Sequence, residues 1–502
     1  MSFDRHLVFF DKFMLTFAIP LIGCAQSRSK NVRGTRMRKN FLILATALTA
    51  ASCASVPAFE PQDVLPDAPN SWSSAPDNLS TAPTVDWVAS FENDRLVALV
   101  DEAFAGNPSL AQSLARYESA LASARISGAN RLPTLDGSLG NTRTEVNNGP
   151  STDSYSLGLS SSWEVDLWGR VRNSANAASL DAEAAAQDLR GSQLSVAGLV
   201  AKAWLDLIEA RQQTELAQRD LETFQLTLSI TERRFTRGLV RSSDVRTARS
   251  ALASSEAALA SRRRAEAASA RSLETLLGRY PSARIERGES FPTISELSGI
   301  GSPQDMLSRR PDVLAAERRL EAAGLRVDAA RAALYPSLSL SASTGTSGAD
   351  LDEVFDFDGL VSSLTSSLTA PIFRSGQLRA QRDQAIATAE LQVAAYVQTV
   401  LAAWQETENA IYADTILAAR VDSLGRAFEE AAEAEDLVTQ QYARGVATIF
   451  DLLNAYSRRI SAESQYISAR RARAANRVDL YLAIAGDFSA AASADPAAHS
   501  GE

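Results

Sequence analysis

The two halves of this chain are copies of each other, and that duplication restricts the fold more than any single residue does. From Pro108 to Pro133 and from Pro311 to Pro336 the same spacing recurs 203 positions apart (311 minus 108): Arg116 and Glu118 are matched by Arg319 and Glu321, Ala129 by Ala332, Leu135 by Leu338. Further on the separation is 207 (376 minus 169), so that Gly169 matches Gly376, Arg172 matches Arg379, and RFTRGLVRSSDV (234–245) matches QYARGVATIFDL (441–452). A tandem unit of about 200 residues points to pseudo-symmetric architecture rather than an array of small modules.

Each unit reads as a helix ending before a proline, two strands, and two very long helices. Tyr155, Leu157, Leu159, Trp163, Val165 and Leu167 alternate with Gly158, Ser160, Ser162, Glu164 and Asp166, the period of a strand with one greasy and one polar face. In the second unit Leu338, Leu340 and Ala342 open one strand. Leu360, Leu364, Leu368, Ala370 and Ile372 stand against Ser363, Thr365, Ser367 and Thr369 in the next. The expected strands are 133–146 and 154–168, then 336–347 and 358–373. Turn-forming NNGPSTD (147–153) and GADLDEVFD (348–356) separate them.

No proline interrupts 151–280 or 372–495, so both stretches can be helical throughout. Helices are expected at 169–237, 243–278, 376–444 and 449–485. The 67 residues from Gly169 to Phe235 would form a rod of about 100 Å. Val196, Leu199, Val200, Ala203, Trp204, Leu207 and Ile208 make a helical apolar stripe. Leu453, Ile460, Ile467, Ala474 and Tyr481 keep seven-residue spacing, which means coiled-coil-like packing. Gly238 and Gly445 sit where a left-handed helix terminator belongs. Thr448 followed by Asp451 is a capping-box start. Each pair of rods is thus a hairpin, and the fold class is mainly α with a small β part.

At 45% hydrophobic residues and a net charge of −10, the chain is neither disordered nor marked for nucleic acid. Beyond the N-terminus no run of about 18 apolar residues is expected to cross a membrane as a helix. A membrane span must then use strands, and open strand edges cannot face lipid. Four strands per chain force an oligomer.

The first 36 residues read as an over-extended start. Met37-Arg38-Lys39-Asn40, an apolar stretch from Phe41 to Ala51, and Ser52 before Cys53 read as a lipoprotein signal peptide over 37–52, with Cys53 as the lipidated residue. Leu21-Ile22-Gly23-Cys24 resembles a second processing site, but cleavage there would strand an apolar run on the mature protein. A Pro-, Ser- and Asp-rich tether follows over 53–90, then repeats at 91–298 and 299–488 and a disordered tail at 489–502. The only histidines are His6 and His499, and no phosphate-cradling glycine loop appears. Enzymatic chemistry, metal sites and cofactors are not expected. Arg262-Arg263-Arg264 reads first as a solvated helix face, with an adaptor or lipid contact as the sharper alternative. Trp163 and Trp168 are either membrane-interface aromatics or packing at the strand-to-helix junction.

SSWEVDLWGRVRN (161–173), the doubled RGL and RGV turns (237–239 and 444–446) and the Cys-led tether resemble the TolC-like outer-membrane efflux proteins, in particular their lipoprotein branch. The resemblance spans roughly Cys53 to Asp487. It implies a homotrimer whose twelve-stranded barrel, four strands per chain, sits in outer-membrane lipid on a periplasmic helical tunnel. It further implies work with a periplasmic adaptor and an inner-membrane pump of the proton-driven kind. By the same resemblance Asp451 falls on an aspartate ring of the periplasmic gate and Asp244, with Ser243, on its counterpart. Tyr442 falls on a tyrosine that pairs with that first-repeat aspartate. Asn454 and Ala447 replace a second aspartate and a gating arginine, leaving Arg241 and Arg444 as charged alternatives. The resulting expectation is a passive duct for small toxic compounds. Type I protein secretion is the alternative, and a helical-hairpin adaptor a more distant one.

Overall fold

Backbone pairing and packing reproduce the duplication element by element. A computed structural model describes residues 65, 68–75, 87–147, 149–285, 290–294 and 299–484. The signal region, Cys24, Cys53 and the tail lie outside the described residues. The first half carries helices α1 (Asp94–Gly106) and α2 (Pro108–Ala129), strands β1 (Thr134–Glu145) and β2 (Ser151–Val165), and the long helices α3 (Arg170–Thr236) and α4 (Ser242–Leu276). The second carries a short α5 (Pro303–Leu307), α6 (Pro311–Ala332), β3 (Ser337–Gly348), β4 (Val361–Thr369), and the long α7 (Gln377–Arg444) and α8 (Ile449–Ala483). Both α2 and α6 begin on a proline, whose missing N–H would have had no partner at a first turn.

The four strands form one antiparallel sheet in the order β1-β2-β3-β4. Register aligns the alternation across all of them. Leu139 faces Leu157, Trp163 faces Leu340, and Leu338 faces Leu368, while on the opposite face Asp136 meets Ser160, Ser162 meets Ser341, and Ser343 meets Ser363. One face is therefore mainly apolar, with Ser161, Thr344 and Ser362 among its leucines, and the other is lined with hydroxyls. β4 stops at Thr369 rather than running to residue 373, because Pro371 cannot donate to a ladder. Residues 357–359 turn in a short 3-10 helix before it begins. Among the described residues β1 pairs only with β2, and β4 only with β3.

The helices form a layer one helix thick. Nearest the sheet the lateral order is α2, α3, α6, α7, and further down it becomes α4, α3, α8, α7. The inner seam between α3 and α8 is polar. Lys202 meets Asp479, Asp206 meets Arg471, Gln213 exchanges two hydrogen bonds with Ser464 (3.0 and 2.9 Å), and Thr227 meets Tyr456 (3.3 Å). The strongest node is Arg459 on α8, which reaches Asp220 on α3 (2.7 Å), Glu435 on α7 (2.7 Å) and Glu463 one turn on (3.2 Å). Burial pushes the Asp220 carboxyl up against the pull of Arg459. Burial also opposes the Arg459 charge, but Glu435 and Asp220 hold that guanidinium above its usual value.

The apolar core sits at mid-height, where Leu96 and Leu99 of α1 pack with Leu205 and Ile208 of α3, Leu273 of α4 and Leu480 of α8. Trp87 stacks on Tyr481 at 6.0 Å. The region expected as an extended tether is docked at two points. Trp87 belongs to this core, and Trp72 is buried with its indole N–H donating to the Gly301 carbonyl at 2.9 Å. Two further expectations change. Leu199, placed on the buried stripe of α3, is 52% exposed because α3 turns that flank away from α1 and α8. And α7 does contain an 18-residue window apolar enough by composition to cross a membrane, with a mean hydropathy of 1.2. Its Leu391, Leu401, Tyr412 and Ile416 stand exposed because α7 is a lateral edge of the helical layer with neighbours on one side only.

Removing Arg459 strands the carboxylates of Asp220 and Glu435 and leaves Glu463 to Arg219 alone, all three having little exposure. Arg459→Met should cost about 3–5 kcal/mol, against less than about 1 kcal/mol for Lys202→Met in the more exposed Lys202–Asp479 pair. Denaturant unfolding of the purified protein in detergent measures both. Equal losses would show that Arg459 is not a clamp.

Candidate functional site

The tip of the helical layer is built twice by the same turn. Gly238 adopts φ 72° and Gly445 φ 80°, a left-handed conformation that is cheap only for glycine. The Leu239 N–H bonds back to the Arg234 carbonyl and the Val446 N–H to the Gln441 carbonyl, both at 2.9 Å, so the two helices end in the same way. The next helices start in parallel as well. Asp451 accepts from the Thr448 backbone N–H (2.9 Å) and hydroxyl (2.7 Å), while the Thr448 hydroxyl accepts from the Asp451 N–H (3.2 Å). Asp244, 207 positions earlier (451 minus 244), accepts from the Arg241 N–H (3.0 Å) and from the Ser243 hydroxyl (3.2 Å). Arginine at the cap position has no side-chain acceptor to return to the helix, so the first turn has half of the box that the second has whole.

Asp451 is exposed, and the Thr448 hydroxyl, then the Thr448 N–H, hold its carboxyl below the usual range. Asn454, one turn on, is exposed too. Tyr442 lies elsewhere: it is buried, and its hydroxyl bonds to Thr231 (2.9 Å) rather than to Asp244 of the same chain. Arg234 completes this contact. Its guanidinium donates to the Tyr442 carbonyl (2.7 Å) and lies 4.9 Å from the centre of the tyrosine ring. Tyr442, Ile449, Leu452 and Tyr456 form a small apolar cluster of their own beneath the turns. Thr231 and Arg234 were not singled out by sequence reasoning. The available signal was a mismatch between the copies, since Arg234 faces Gln441 in the repeat alignment.

At the opposite end of the rods Trp163 and Trp168 tie strands to helices. The Trp163 indole N–H donates to the Arg131 carbonyl (3.0 Å) and that of Trp168 to the Pro336 carbonyl (2.8 Å), with Trp168 stacked 5.0 Å from Tyr335. Gly169 follows with a left-handed φ of 78°, and the Asp166 carboxylate accepts from the first N–H groups of α3 at Val171 (3.1 Å) and Arg172 (2.7 Å). Among the described residues no group of three His, Cys, Asp or Glu side chains is placed to hold a metal ion.

A sheet that is greasy on one face and hydroxyl-lined on the other, carried on rods of some 100 Å that end in paired acidic turns, defines a membrane channel with a long helical extension. The profile of the Outer membrane efflux protein family matches residues 99–279 and 302–486, one match per repeat, and the chain belongs to that family. It is 30% identical to the pyoverdine export outer membrane protein OpmQ of Pseudomonas aeruginosa over 464 residues, covering 90% of this chain and 97% of that one. Outer membrane protein OprJ of the same organism is also 30% identical, with 89% and 95% covered. The open state of the MtrE outer membrane channel of Neisseria gonorrhoeae superposes with a TM-score of 0.76 at 30% identity, covering 87% of this chain and 99% of that one. The protein is an outer-membrane component of an efflux system, in a family of channel proteins.

A carboxylate held below its unfolded value contributes stability that is complete above about pH 4 and lost as pH falls through the lowered folded value. Asp451→Ala should therefore speed amide exchange at Ile449–Leu452 at neutral pH, and the difference from the parent should shrink on acidification. Hydrogen–deuterium exchange read by mass spectrometry follows both. A difference independent of pH would mean that the carboxylate takes no part in the cap.

Proposed function

We propose that three copies of this chain close into a passive exit duct, twelve strands in the outer membrane above a periplasmic helical tunnel, which expels small toxic compounds delivered by an adaptor and an inner-membrane pump. The observation that carries this reading is the sheet left open at β1 and β4, with Leu135, Leu139, Leu157, Leu159, Trp163, Leu340, Leu364 and Leu368 forming an apolar band on one face. In lipid an unpaired backbone group costs several kcal/mol, and edge-to-edge joining of identical sheets removes every such edge. The helical layer asks for the same partner, because α7 leaves apolar side chains uncovered on one flank while α2 and α4 leave the other flank open. The greasy face then meets hydrocarbon, and the serine-rich face lines a lumen that makes few specific contacts with cargo. The name of OpmQ, an exporter of pyoverdine, favours small molecules over unfolded proteins as that cargo.

At the tip, Asp451 and Asp244 with Ser243 and Asn454 form the gate in this reading, and three copies of each carboxylate around one axis attract cations. Tyr442 acts from behind, fixing the second turn through Thr231 and Arg234. Cys53 carries the lipid, and Trp163 and Trp168 mark the membrane boundary.

Asp451→Ala together with Asp244→Ala should raise single-channel conductance in planar bilayers and weaken block by divalent cations. Unchanged conductance and block would remove the gate role and leave the fold intact. Cys53→Ser should abolish palmitate labelling while barrel insertion persists, and labelling that survives would shift the anchor to Cys24.

A further inference from the structure

The strand turn of the first repeat is short, but the second repeat replaces it with a loop of twelve residues between Gly348 and Val361. This loop sits at the end of the sheet away from the helices and folds back over the greasy face instead of projecting beyond the strands. Thr346, which shares that face with its register partner Leu157, donates its hydroxyl to the Val354 carbonyl, and Val354 is fully buried. The Ala349 N–H bonds to the Glu353 carboxylate at 2.8 Å. Gly348 permits the close approach, since a Cβ there would stand 2.5 Å from the Glu353 Cβ.

Between loop and sheet a cavity of about 450 Å³ remains, lined by Gly137, Leu139, Leu157 and Leu159 from the strands and by Phe357 and Leu360 from the loop. No charged side chain lines it, and the Thr344 and Thr346 hydroxyls that do are already bonded to Ser362 and to the Val354 carbonyl, so water there finds few partners. We propose that this groove holds one acyl chain of an outer-leaflet lipid, gripped between the barrel wall and the loop. The inference rests on the reading that the greasy face meets lipid. Continuity selects the occupant: the groove opens onto the same face as Leu135 and Leu364, and Leu351 and Phe355 stand exposed at its rim. Asp350, Asp352, Asp356 and Asp358 alternate with these apolar residues and stay at headgroup level, so the loop is amphipathic in the way a boundary element must be.

The test uses the full-length protein in vesicles of phosphatidylethanolamine and phosphatidylglycerol, doped with a phosphatidylethanolamine that bears a diazirine near one acyl terminus. After irradiation, adducts should concentrate on the peptides holding Leu159, Phe357 and Leu360. Gly137→Leu puts a side chain into the groove, where its Cβ would meet Leu159 at an ordinary 3.5 Å. It should cut those adducts about tenfold, the loss expected when some two buried methylenes no longer fit, and leave adducts at Leu364 and Leu368 unchanged. Thr344→Leu fills the same space from another strand and should act alike. Uniform labelling of the whole face, or labelling at the groove unmoved by both variants, overturns the acyl site while the lipid-facing assignment stands. Absence of adducts at Leu364 and Leu368 as well overturns the lipid-facing assignment and the acyl site with it.

Discussion

Every β-strand must find partners for its N–H and C=O groups on both sides, and this chain builds a sheet that leaves two sides open. The cost in water is small, because solvent takes the free groups. Against hydrocarbon no solvent is available, and one flank of β1 and one of β4 would each forfeit a row of hydrogen bonds. The sheet cannot repair this alone. Four strands are too few to close into a barrel with room for side chains inside, where eight are just enough. For a sheet set in lipid, partnership would therefore follow from strand number alone. The helical layer obeys the same rule in a weaker form, since an uncovered apolar flank on α7 costs buried area rather than hydrogen bonds.

A layer one helix thick has water on both faces, which explains why its inner seam is polar. A globular core shields its helices all round, but here Lys202, Asp206, Arg471 and Asp479 at the α3–α8 contact all stay partly exposed. Those pairs can therefore form across the seam at modest desolvation cost, while the buried Gln213 is satisfied by its two hydrogen bonds with Ser464. They also fix the axial register of two rods that an alanine-rich contact alone would let slide. Arg459 is the exception, because it is flanked by α3, α7 and α8 at once and its three carboxylates have little exposure. A buried pair of this kind seldom adds much net stability but penalises every misaligned alternative. That is what a long antiparallel hairpin requires.

Much of the architecture was legible because it rests on periodicity. Alternation at Leu157, Leu159 and Trp163 gave a strand, and the proline-free stretches bounded by Gly238 and Gly445 gave rods and their turns. Duplication made each assignment twice. The candidate tip was legible in part, since Thr448 and Asp451 bond locally and local bonds leave a local signature. What stayed hidden depends on distant pairs. Nothing near Arg459 announces Asp220 or Glu435, and nothing near Tyr442 announces Thr231. Leu199 fits the apolar stripe by spacing alone, yet α3 is covered on only part of its circumference there. The docked Trp72 was hidden by its surroundings, because proline and serine around it read as an extended tether.

Duplication also sharpens where function can reside. Two copies under the same packing constraint keep the same backbone, as the matching bonds from Leu239 to Arg234 and from Val446 to Gln441 show. Differences between the copies then mark positions that shared architecture does not dictate. At the tip the pairs Arg241 and Thr448, Ser243 and Phe450, and Arg234 and Gln441 break the symmetry, so the two turns of one chain offer chemically different surfaces to whatever passes or docks. At the far end a short turn in the first repeat answers a twelve-residue loop in the second. Both mouths of the molecule carry such differences, while the rods between them keep matched lengths of 67 and 68 residues and of 35 and 35. A conduit needs that division, because a uniform wall passes cargo without holding it and only the ends must discriminate.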